Sequence, residues 1–372
     1  MATKKTYSTN WQRKKATAAA VAKFEAEFSK DMGVSLTDTS LDEYEVISTG
    51  SMNLDYVLGI GGLPTGRICE IWGPEHAGKT TVCMLIVAEY QKAYPDQRVA
   101  WVDMEQTFDP RWAEQLGVDV KALWRPPVKT AEDTADATKR LVESGLCSLV
   151  ILDSVGGMIS KMEMQKEADE ATVGKVPAIV TRMVKQCSPM AKNNGTTVIV
   201  VNQVRAQIGG YGPDEITGGG WALKHVTTIK MRVRRGEQHT VTLDGQDVPF
   251  GHQMMIQIKK NKMAPYGMVA GVWLHNRETA KFGPIGIDLA QEVFDHAKRL
   301  NLMGTKGGGY YSMPDGTELR GEPTVVQHLR NHPDDRETLR LKVLDSIAHT
   351  VHDEADGPDQ DDPLGIGEMV NQ

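Results

Sequence analysis

One eight-residue segment has the residue types and the spacing of a loop that holds a polyphosphate. It comprises, in order, Gly73, Pro74, Glu75, His76, Ala77, Gly78, Lys79 and Thr80. Its glycines let backbone N–H groups turn inward around phosphate oxygens, where side chains would obstruct them. Lys79 would reach the outer phosphates, and the Thr80 hydroxyl would contact Mg²⁺. The segment therefore predicts a site for a nucleotide and Mg²⁺, with a plain glycine-rich turn as the alternative.

The residues on either side of this loop have the patterns of a strand and a helix. Residues 67–72 alternate as a strand does, and residues 81–88, beginning at Thr81, are typical of a helix. A helix that starts here points its positive N-terminal end at the same phosphates. We therefore count Thr81 among the nucleotide-binding residues.

Two other apolar runs lead into acidic residues. Residues 149–153 end in Asp153, as a Walker B strand that holds Mg²⁺ does, although an aspartate that only caps a turn is the alternative. Residues 99–103 lead into Glu105. Because the carboxyl ends of parallel strands meet at one edge of a sheet, Glu105 is expected near the same ligand. We expect it to polarise an attacking water, the alternative being a solvated loop charge.

A fourth run, residues 197–202, leads into an amide and then a glycine-rich loop. The Gln203 side chain can hydrogen-bond a γ-phosphate and respond to its loss. The loop that follows has glycines at 209, 210, 212 and 218–220, too many for it to hold one shape unaided. This arrangement predicts a switch element, with an ordinary long surface linker as the alternative.

The order of these segments predicts the fold class. Apolar runs alternate with stretches long enough for helices, which indicates an α/β fold with a mostly parallel twisted sheet and helices on both faces. Further strands are expected at residues 226–234, 253–259 and 269–275, and a helix at 286–301. The residues after this helix are expected to complete a small α/β C-terminal domain.

Composition narrows the class of protein. The chain has 372 residues, and it carries neither an apolar run long enough for a membrane span nor a signal-type N-terminus, so we expect a cytoplasmic protein. Its four cysteines lack C-x-x-C spacing and are expected to be reduced core residues, without zinc or disulfides.

The net charge of −7 comes from the C-terminal end. Beyond residue 342 there are eight acidic residues and no lysine or arginine, so without those eight charges the chain has a net charge of +1. These acidic residues are Asp345, Asp353, Glu354, Asp356, Asp359, Asp361, Asp362 and Glu368. Such a tail can compete with a phosphate backbone for a basic surface, or it can serve solubility alone.

Two basic clusters fall in the later predicted strands. They contain Lys230, Arg232, Arg234 and Arg235 in one strand and Lys259, Lys260 and Lys262 at the end of another. Runs of charge usually mark solvated faces. The functional alternatives are a surface for nucleic-acid phosphates, or a cation offered to the nucleotide of a neighbouring subunit.

Several of these segments, in the same order, resemble one known family. From about residue 15 to residue 345 the chain is similar to bacterial-type RecA, the DNA strand-exchange recombinases, including phage versions. The matching segments are residues 46–51, 61–67, the phosphate loop, 103–105, 116–119, 152–155, 201–205, 219–224 and 260–262. A resemblance spread over so many segments is far more specific than the phosphate loop alone.

The resemblance implies roles in an ATP site that uses Mg²⁺. Glu105 matches the family's catalytic glutamate, and Gln203 matches its γ-phosphate sensor. Lys260 and Lys262 match lysines that reach the ATP bound by the adjacent subunit, which makes the site complete only after assembly. His225 stands where an aromatic residue is expected at a subunit contact.

The resemblance also implies adenine and DNA contacts. Asp109 and Trp112 fall where family members contact and stack on adenine. Two mobile loops line the DNA channel in this family, and they match residues 163–174 and 207–220 here. The implied DNA-binding residues, which include two apolar wedges between base triplets, are Val173, Gly174, Arg205, Ile208, Gly209, Gly210, Tyr211, Gly219 and Gly220.

The domain order implied is an N-terminal helix for subunit packing (1–40), a RecA-type ATPase core (41–280), a small C-terminal domain (281–350) and a disordered acidic tail (351–372). We expect a DNA-dependent ATPase that forms helical filaments on single-stranded DNA and pairs it with homologous double-stranded DNA. Single-strand-binding and mediator proteins are further expected partners. The alternatives are a hexameric helicase or motor on the same core, and a DNA-binding filament protein without significant turnover.

Overall fold

The computed structural model describes residues 22–23, 25–27, 30, 44–165, 175–206, 215–217, 220–243, 246–279, 283–306 and 308–353. The chain divides into two compact units, residues 1–44 and 45–372. In the first unit the described residues from 22 to 30 are helical, inside the segment expected to hold the N-terminal helix, residues 1–40. Lys23 and Glu27 form an exposed ion pair there, 3.8 Å apart. The packing of this helix on a neighbouring subunit stays a prediction.

The second unit contains a nine-stranded sheet and two small sheets. Its strands are β1 (Val46–Ile47), β2 (Leu63–Pro64), β3 (Ile68–Gly73), β4 (Arg98–Asp103), β5 (Leu123–Trp124), β6 (Cys147–Asp153), β7 (Thr197–Ala206), β8 (Glu215–Thr217), β9 (Ile229–Leu243), β10 (Gln246–Asn261), β11 (Val269–His275), β12 (Gly304–Lys306), β13 (Tyr310–Ser312) and β14 (Glu318–Arg320). The order across the large sheet is β11-β10-β9-β3-β7-β6-β4-β5, and β8 pairs with β7 outside this path. All pairs from β9 to β5 are parallel. The α/β class expected from the sequence is confirmed.

Helices cover the sheet and build the C-terminal part. They are α1 (Met52–Val57), α2 (Lys79–Ala93), α3 (Pro110–Gln115), α4 (Ala131–Glu143), α5 (Lys161–Gln165), α6 (Lys175–Asn194), α7 (Gly220–Val226), α8 (Leu289–Arg299), α9 (Glu322–Asn331) and α10 (Pro333–Asp353), with a 3-10 turn at Val155–Gly157. Side chains of α2 pack with one face of the central strands, and side chains of α4 and α6 pack with the other. Strand β6 is buried at all seven positions, as a strand covered on both faces must be.

The central strands match their predicted positions, whereas the antiparallel end of the sheet does not. The strand predicted at 226–234 begins only at Ile229, because Val226 is the last residue of α7. Strand β10 is much longer than the predicted 253–259. The two strands continue past the apolar core as a ribbon that pairs as far as Leu243 and Gln246. Polar residues in this ribbon weaken the apolar alternation on which the prediction depended.

The C-terminal part of the second unit has its own apolar core. Phe294 of α8, Val325 of α9 and Leu339 of α10 are buried together, next to the small sheet β12-β13-β14. The expected helix at 286–301 is confirmed with shorter bounds, Leu289–Arg299. The boundaries of the predicted domains stay predictions. The four cysteines are free and buried. Among the helices of the described residues, none is long and apolar enough to cross a bilayer.

A buried carboxyl group joins α8 to the start of α1. Glu292 accepts hydrogen bonds from the Ser51 hydroxyl, at 2.9 Å, and from the Asn53 backbone N–H, at 3.3 Å. Burial raises the pKa of Glu292 from 4.5 to about 8, against the lowering effect of these bonds. The folded chain therefore keeps a proton that the unfolded chain releases above pH 4.5.

Because the folded chain keeps this proton, its free energy of unfolding is expected to depend on pH. Between pH 4.5 and 8 the folded state binds more protons than the unfolded state, so the stability that Glu292 contributes is lost as the pH rises, by about 1 kcal/mol per pH unit. We expect Glu292→Gln to reduce this slope in urea denaturation at pH 5.5, 6.5 and 7.5, whereas the substitution of an exposed glutamate, Glu278→Gln, leaves it unchanged. Equal slopes for the wild-type chain and Glu292→Gln would show that Glu292 is charged in the folded state.

Candidate nucleotide site

The phosphate loop lies between the end of β3 and the start of α2, where two glycines are required by close contacts. At Gly73 a Cβ would lie 2.1 Å from the carbonyl oxygen of Val233. At Gly78, with φ of 98°, a Cβ would lie 2.5 Å from the sulfur of Met254. The loop therefore presses against the neighbouring strands, and its backbone encloses a concave surface at the N-terminus of α2.

A cleft of about 640 Å³ opens above this loop. The residues that line it are Glu75, His76, Gly78, Lys79, Thr80, Thr81, Glu105, Thr107, Asp153, Ser154, Gln203, Arg235 and His252. Nine loop and helix-start residues, 73–81, were predicted to bind the nucleotide, and six of them line the cleft. The other three, Gly73, Pro74 and Ala77, are not part of the lining. Glu105, Asp153 and Gln203, predicted from three separate strand ends, meet in the same cleft because their strands are parallel neighbours.

Lys79 is a buried cation at the centre of the cleft. Its ammonium group donates to the carbonyl oxygen of Pro74, at 2.7 Å, and so folds back over the loop. Burial lowers the pKa of Lys79, and the nearby charges of Asp153 and Glu105 partly oppose that shift. A buried cation at the N-terminus of α2 fits an anionic ligand such as a polyphosphate.

Thr80 and Asp153 place two oxygen ligands side by side. The Thr80 hydroxyl donates to the Asp153 carboxylate at 2.9 Å. Burial, together with the charges of Glu105 and Asp103, raises the pKa of Asp153 to about 6, against the lowering effects of the Thr80 hydrogen bond and the Lys79 charge. Hydroxyl and carboxylate oxygens are ligands that Mg²⁺ accepts together with phosphates. The donor set therefore fits the expected magnesium ion.

Glu105 is held by two side chains from other elements. Its carboxylate accepts from the Gln203 amide, at 2.7 Å, and from the Ser154 hydroxyl. The 3-10 turn packs closely against this pair, since a Cβ on Gly156 would lie 3.2 Å from Gln203 and one on Gly157 would lie 3.1 Å from Glu105. Ser154 had no predicted role, although it directly follows Asp153 in a segment that resembles the family.

Gln203 connects the cleft to a hairpin. One residue beyond it, Val204 of β7 pairs with Thr217 of β8, and Arg205 pairs with Ile216. The loop between these strands, residues 207–214, lies outside the described residues. Helix α7 follows β8 and starts at Gly220. The amide that contacts Glu105 is therefore in the same strand that leads into the predicted switch loop.

Lys260 and Lys262 contact the end of α7 rather than the cleft of their own chain. The Lys260 ammonium donates to the carbonyl oxygens of Lys224, at 2.7 Å, and His225, at 3.4 Å. The Lys262 ammonium donates to the carbonyl of His225 at 2.9 Å. Cations at the carboxyl end of a helix are stabilised by its unpaired carbonyls. The two ammonium groups therefore lie at the carboxyl end of the helix that follows the predicted switch loop.

Lys230 of the other basic cluster has a role in the core. Its ammonium lies 2.8 Å from the fully buried Glu70 carboxylate, which also accepts from the Asn202 amide at 3.0 Å. Lys230 is therefore not available to a nucleic acid as the cluster alone suggested. Arg235 of the same strand instead lines the nucleotide cleft.

The two residues predicted at adenine lie outside the lining of the cleft. Asp109 is the N-cap of α3 and accepts from the backbone N–H groups of Arg111 and Trp112. The half-buried Trp112 ring packs against the main core. Capping accounts for the aspartate at this position without a ligand. The adenine contacts stay predictions.

Most of the predicted DNA-binding residues lie outside the described residues. These are Val173, Gly174, Ile208, Gly209, Gly210, Tyr211 and Gly219. The loop predicted to begin at residue 163 is wrong for its first three residues, because α5 extends to Gln165. Glu163 in that helix accepts from Ser160, whose hydroxyl and backbone N–H each lie 2.8 Å away.

The site combines a phosphate loop at the carboxyl edge of a parallel sheet, a hydroxyl–carboxylate pair, and a glutamate that contacts a glutamine. Together these features define a nucleotide-binding α/β protein of the phosphate-loop class. Residues 15–274 match the model of the RecA N-terminal domain. The chain is 35% identical to Protein RecA of Ruminococcus albus over 91% of its length and 82% of that protein. It is 32% identical to Protein RecA of Listeria monocytogenes serotype 4a over 96% of its length and 97% of that protein. Protein RecA of Campylobacter hominis is 33% identical, over 92% of each chain.

The chain belongs to the RecA family, the DNA strand-exchange recombinases, as its sequence motifs predict.

Proposed function

We propose that this chain is a DNA-dependent ATPase that forms helical filaments on single-stranded DNA and exchanges strands with a homologous duplex. The observation that carries the proposal is the contact between Glu105 and Gln203. It joins a carboxylate suited to activating water to the strand that enters the glycine-rich loop. A nucleotide site with such a connection can make DNA affinity depend on the γ-phosphate.

In the proposed reaction the residues of the cleft hold and orient ATP. Lys79 and the loop N–H groups contact the phosphates, and Thr80 with Asp153 would hold Mg²⁺. The chemistry that Mg²⁺ supplies when bound is neutralisation of charge on the phosphates. Glu105, positioned by Ser154 and Gln203, accepts a proton from the attacking water.

The NH₂ group of the Gln203 amide has two donors but one orientation at a time. It contacts the Glu105 carboxylate in the structure. A γ-phosphate oxygen that turns the amide toward itself would release Glu105, which could then accept a proton from water. The same turn moves the side chain at the base of the β7–β8 hairpin. ATP binding and the conformation of the loop are thereby coupled, and hydrolysis releases the coupling.

The proposal includes partners on two surfaces. The loops at 163–174 and 207–220 would contact single-stranded DNA, chiefly through phosphates and stacked bases, so sequence preference is slight. Lys260 and Lys262 would complete the ATP site of the adjacent subunit. That role agrees with their absence from the described lining of their own cleft. Single-strand-binding and mediator proteins would act on such a filament.

Electron microscopy with a non-hydrolysable ATP analogue and single-stranded DNA tests the assembly. We expect continuous helical filaments that need both ligands. Closed six-membered rings would favour a helicase or motor on the same core and contradict the proposal. Filaments that form without any ATP hydrolysis under turnover conditions would favour the non-hydrolysing scaffold.

A further inference from the structure

His252 of β10 carries a buried nitrogen in the nucleotide cleft. The side chain lines the cleft together with Arg235 of β9. Its Nε2 atom is inaccessible to solvent and has no hydrogen-bond partner among the described groups. A Cβ placed on Gly78 would lie 4.0 Å from this nitrogen, so the imidazole stands beside the last glycine of the phosphate loop. Buried polar atoms in folded proteins normally have partners, which makes a ligand atom the expected one here.

The charge of the ring suits a hydrogen bond rather than an ion pair. Burial lowers the pKa of His252, and the positive charge of Arg235 lowers it further. The ring is therefore neutral near pH 7, with one N–H and one lone pair. As a donor through Nε2 it can bind a phosphate oxygen without adding a further fixed charge to those of Lys79 and Arg235.

Strand β10 carries His252 and also a lysine proposed to act at the neighbouring subunit's site. His252 and Met254 lie on one face of β10, and Met254 lies under Gly78. Gln253, between them, faces the other way, toward Gly236 and Gly271. Lys260, eight residues after His252, lies near the end of the same strand. One strand therefore carries both a residue at this chain's own phosphate loop and the lysine proposed to serve the neighbouring site.

We propose that His252 is an additional nucleotide ligand whose Nε2–H donates to a phosphate oxygen beside Gly78. The proposal rests on the proposed ATP site, since it adds a contact there. It makes β10 the link between occupancy of one site and the position of the cation offered to the next.

Binding of a fluorescent ADP analogue, without DNA, tests this contact in the full chain. We expect His252→Ala to weaken binding about tenfold, the loss of one hydrogen bond to a charged group. His252→Gln retains an N–H of similar reach and is expected to stay within about threefold of the wild type. Gln253→Ala, the neighbouring residue on the opposite face, is the matched control and is expected to bind as the wild type does.

The outcomes separate this inference from the proposed function. Wild-type affinity in His252→Ala would overturn the His252 contact and leave the ATP site standing. Equal weakening in His252→Gln and His252→Ala would also overturn it, because the donated hydrogen bond would then not be what matters. A wild-type chain that does not bind the analogue would overturn the proposed function as well. Thermal melting of each variant identifies any loss of folding.

Discussion

Replacing Lys79 with alanine is expected to abolish measurable ATP turnover, a decrease of about 10²–10³-fold or more. The Lys79 ammonium is buried, folds over the phosphate loop and lies among the carboxylates of Asp153 and Glu105. Without it the developing charge on the transferred phosphate loses its cationic donor, and the two carboxylates repel the nucleotide. Phosphate release in the presence of single-stranded DNA measures the effect.

The matched control for this variant lies at the other end of the same helix. Lys92, in the last turn of α2, forms a largely exposed ion pair with Glu89. Lys92→Ala is therefore expected to keep wild-type turnover. Wild-type rates of ATP hydrolysis by Lys79→Ala would contradict the assignment of the phosphate site, irrespective of the rate measured for Lys92→Ala.

Replacing Glu105 with glutamine is expected to separate ATP binding from hydrolysis. The carboxylate is the proposed base, and its removal should lower turnover by about 10²–10⁴-fold. The amide keeps the shape of the side chain and an oxygen that can accept from Gln203 and Ser154. ATP would therefore bind and remain, and the filament would persist. Its lifetime on DNA after a challenge with excess competitor DNA measures this trapped state.

A carboxylate outside the cleft provides the comparison. Glu143 is exposed at the end of α4 and does not line the cleft. Glu143→Gln is expected to hydrolyse ATP and release DNA at rates near those of the wild type. Rapid disassembly of the Glu105→Gln filament with ATP present would count against its role as the base.

Much of the site could be predicted because parallel strands place their carboxyl ends together. Asp153, Glu105 and Gln203 come from three different strands, yet the alternation of strands and helices is enough to expect them at one edge. The phosphate loop has a fixed local pattern, so the sequence predicts it without knowledge of the fold. Its glycines are explained by close contacts with Val233 and Met254, which only the structure reveals.

The parts that escaped prediction depend on register and distant packing. Arg235 and His252 enter the cleft because β9 and β10 pair beside β3, and the sequence pattern does not specify that register. The charge pattern of the sequence places Lys230 in a basic cluster, whereas in the structure its ammonium group contacts the buried Glu70 carboxylate. The apolar alternation that marks strands also fades where the β9–β10 ribbon leaves the core.

The most direct test of the account is a mixing experiment between two inactive variants. One variant, Lys79→Ala, lacks its own phosphate contact but offers intact lysines to its neighbour. The other, Lys260→Ala with Lys262→Ala, has an intact phosphate site but offers none. If the adjacent subunit completes each site, random co-assembly on single-stranded DNA restores turnover to about a quarter of the wild-type rate.

Each variant alone is expected to be nearly inactive. A control mixture combines the Lys260→Ala, Lys262→Ala double variant with a triple variant that also carries Lys79→Ala, and it is expected to remain inactive. The predicted result is recovery in the first mixture only, rising with protein concentration and with DNA. A mixture no more active than its separate components, or full turnover by the double variant alone, would contradict a site shared between subunits.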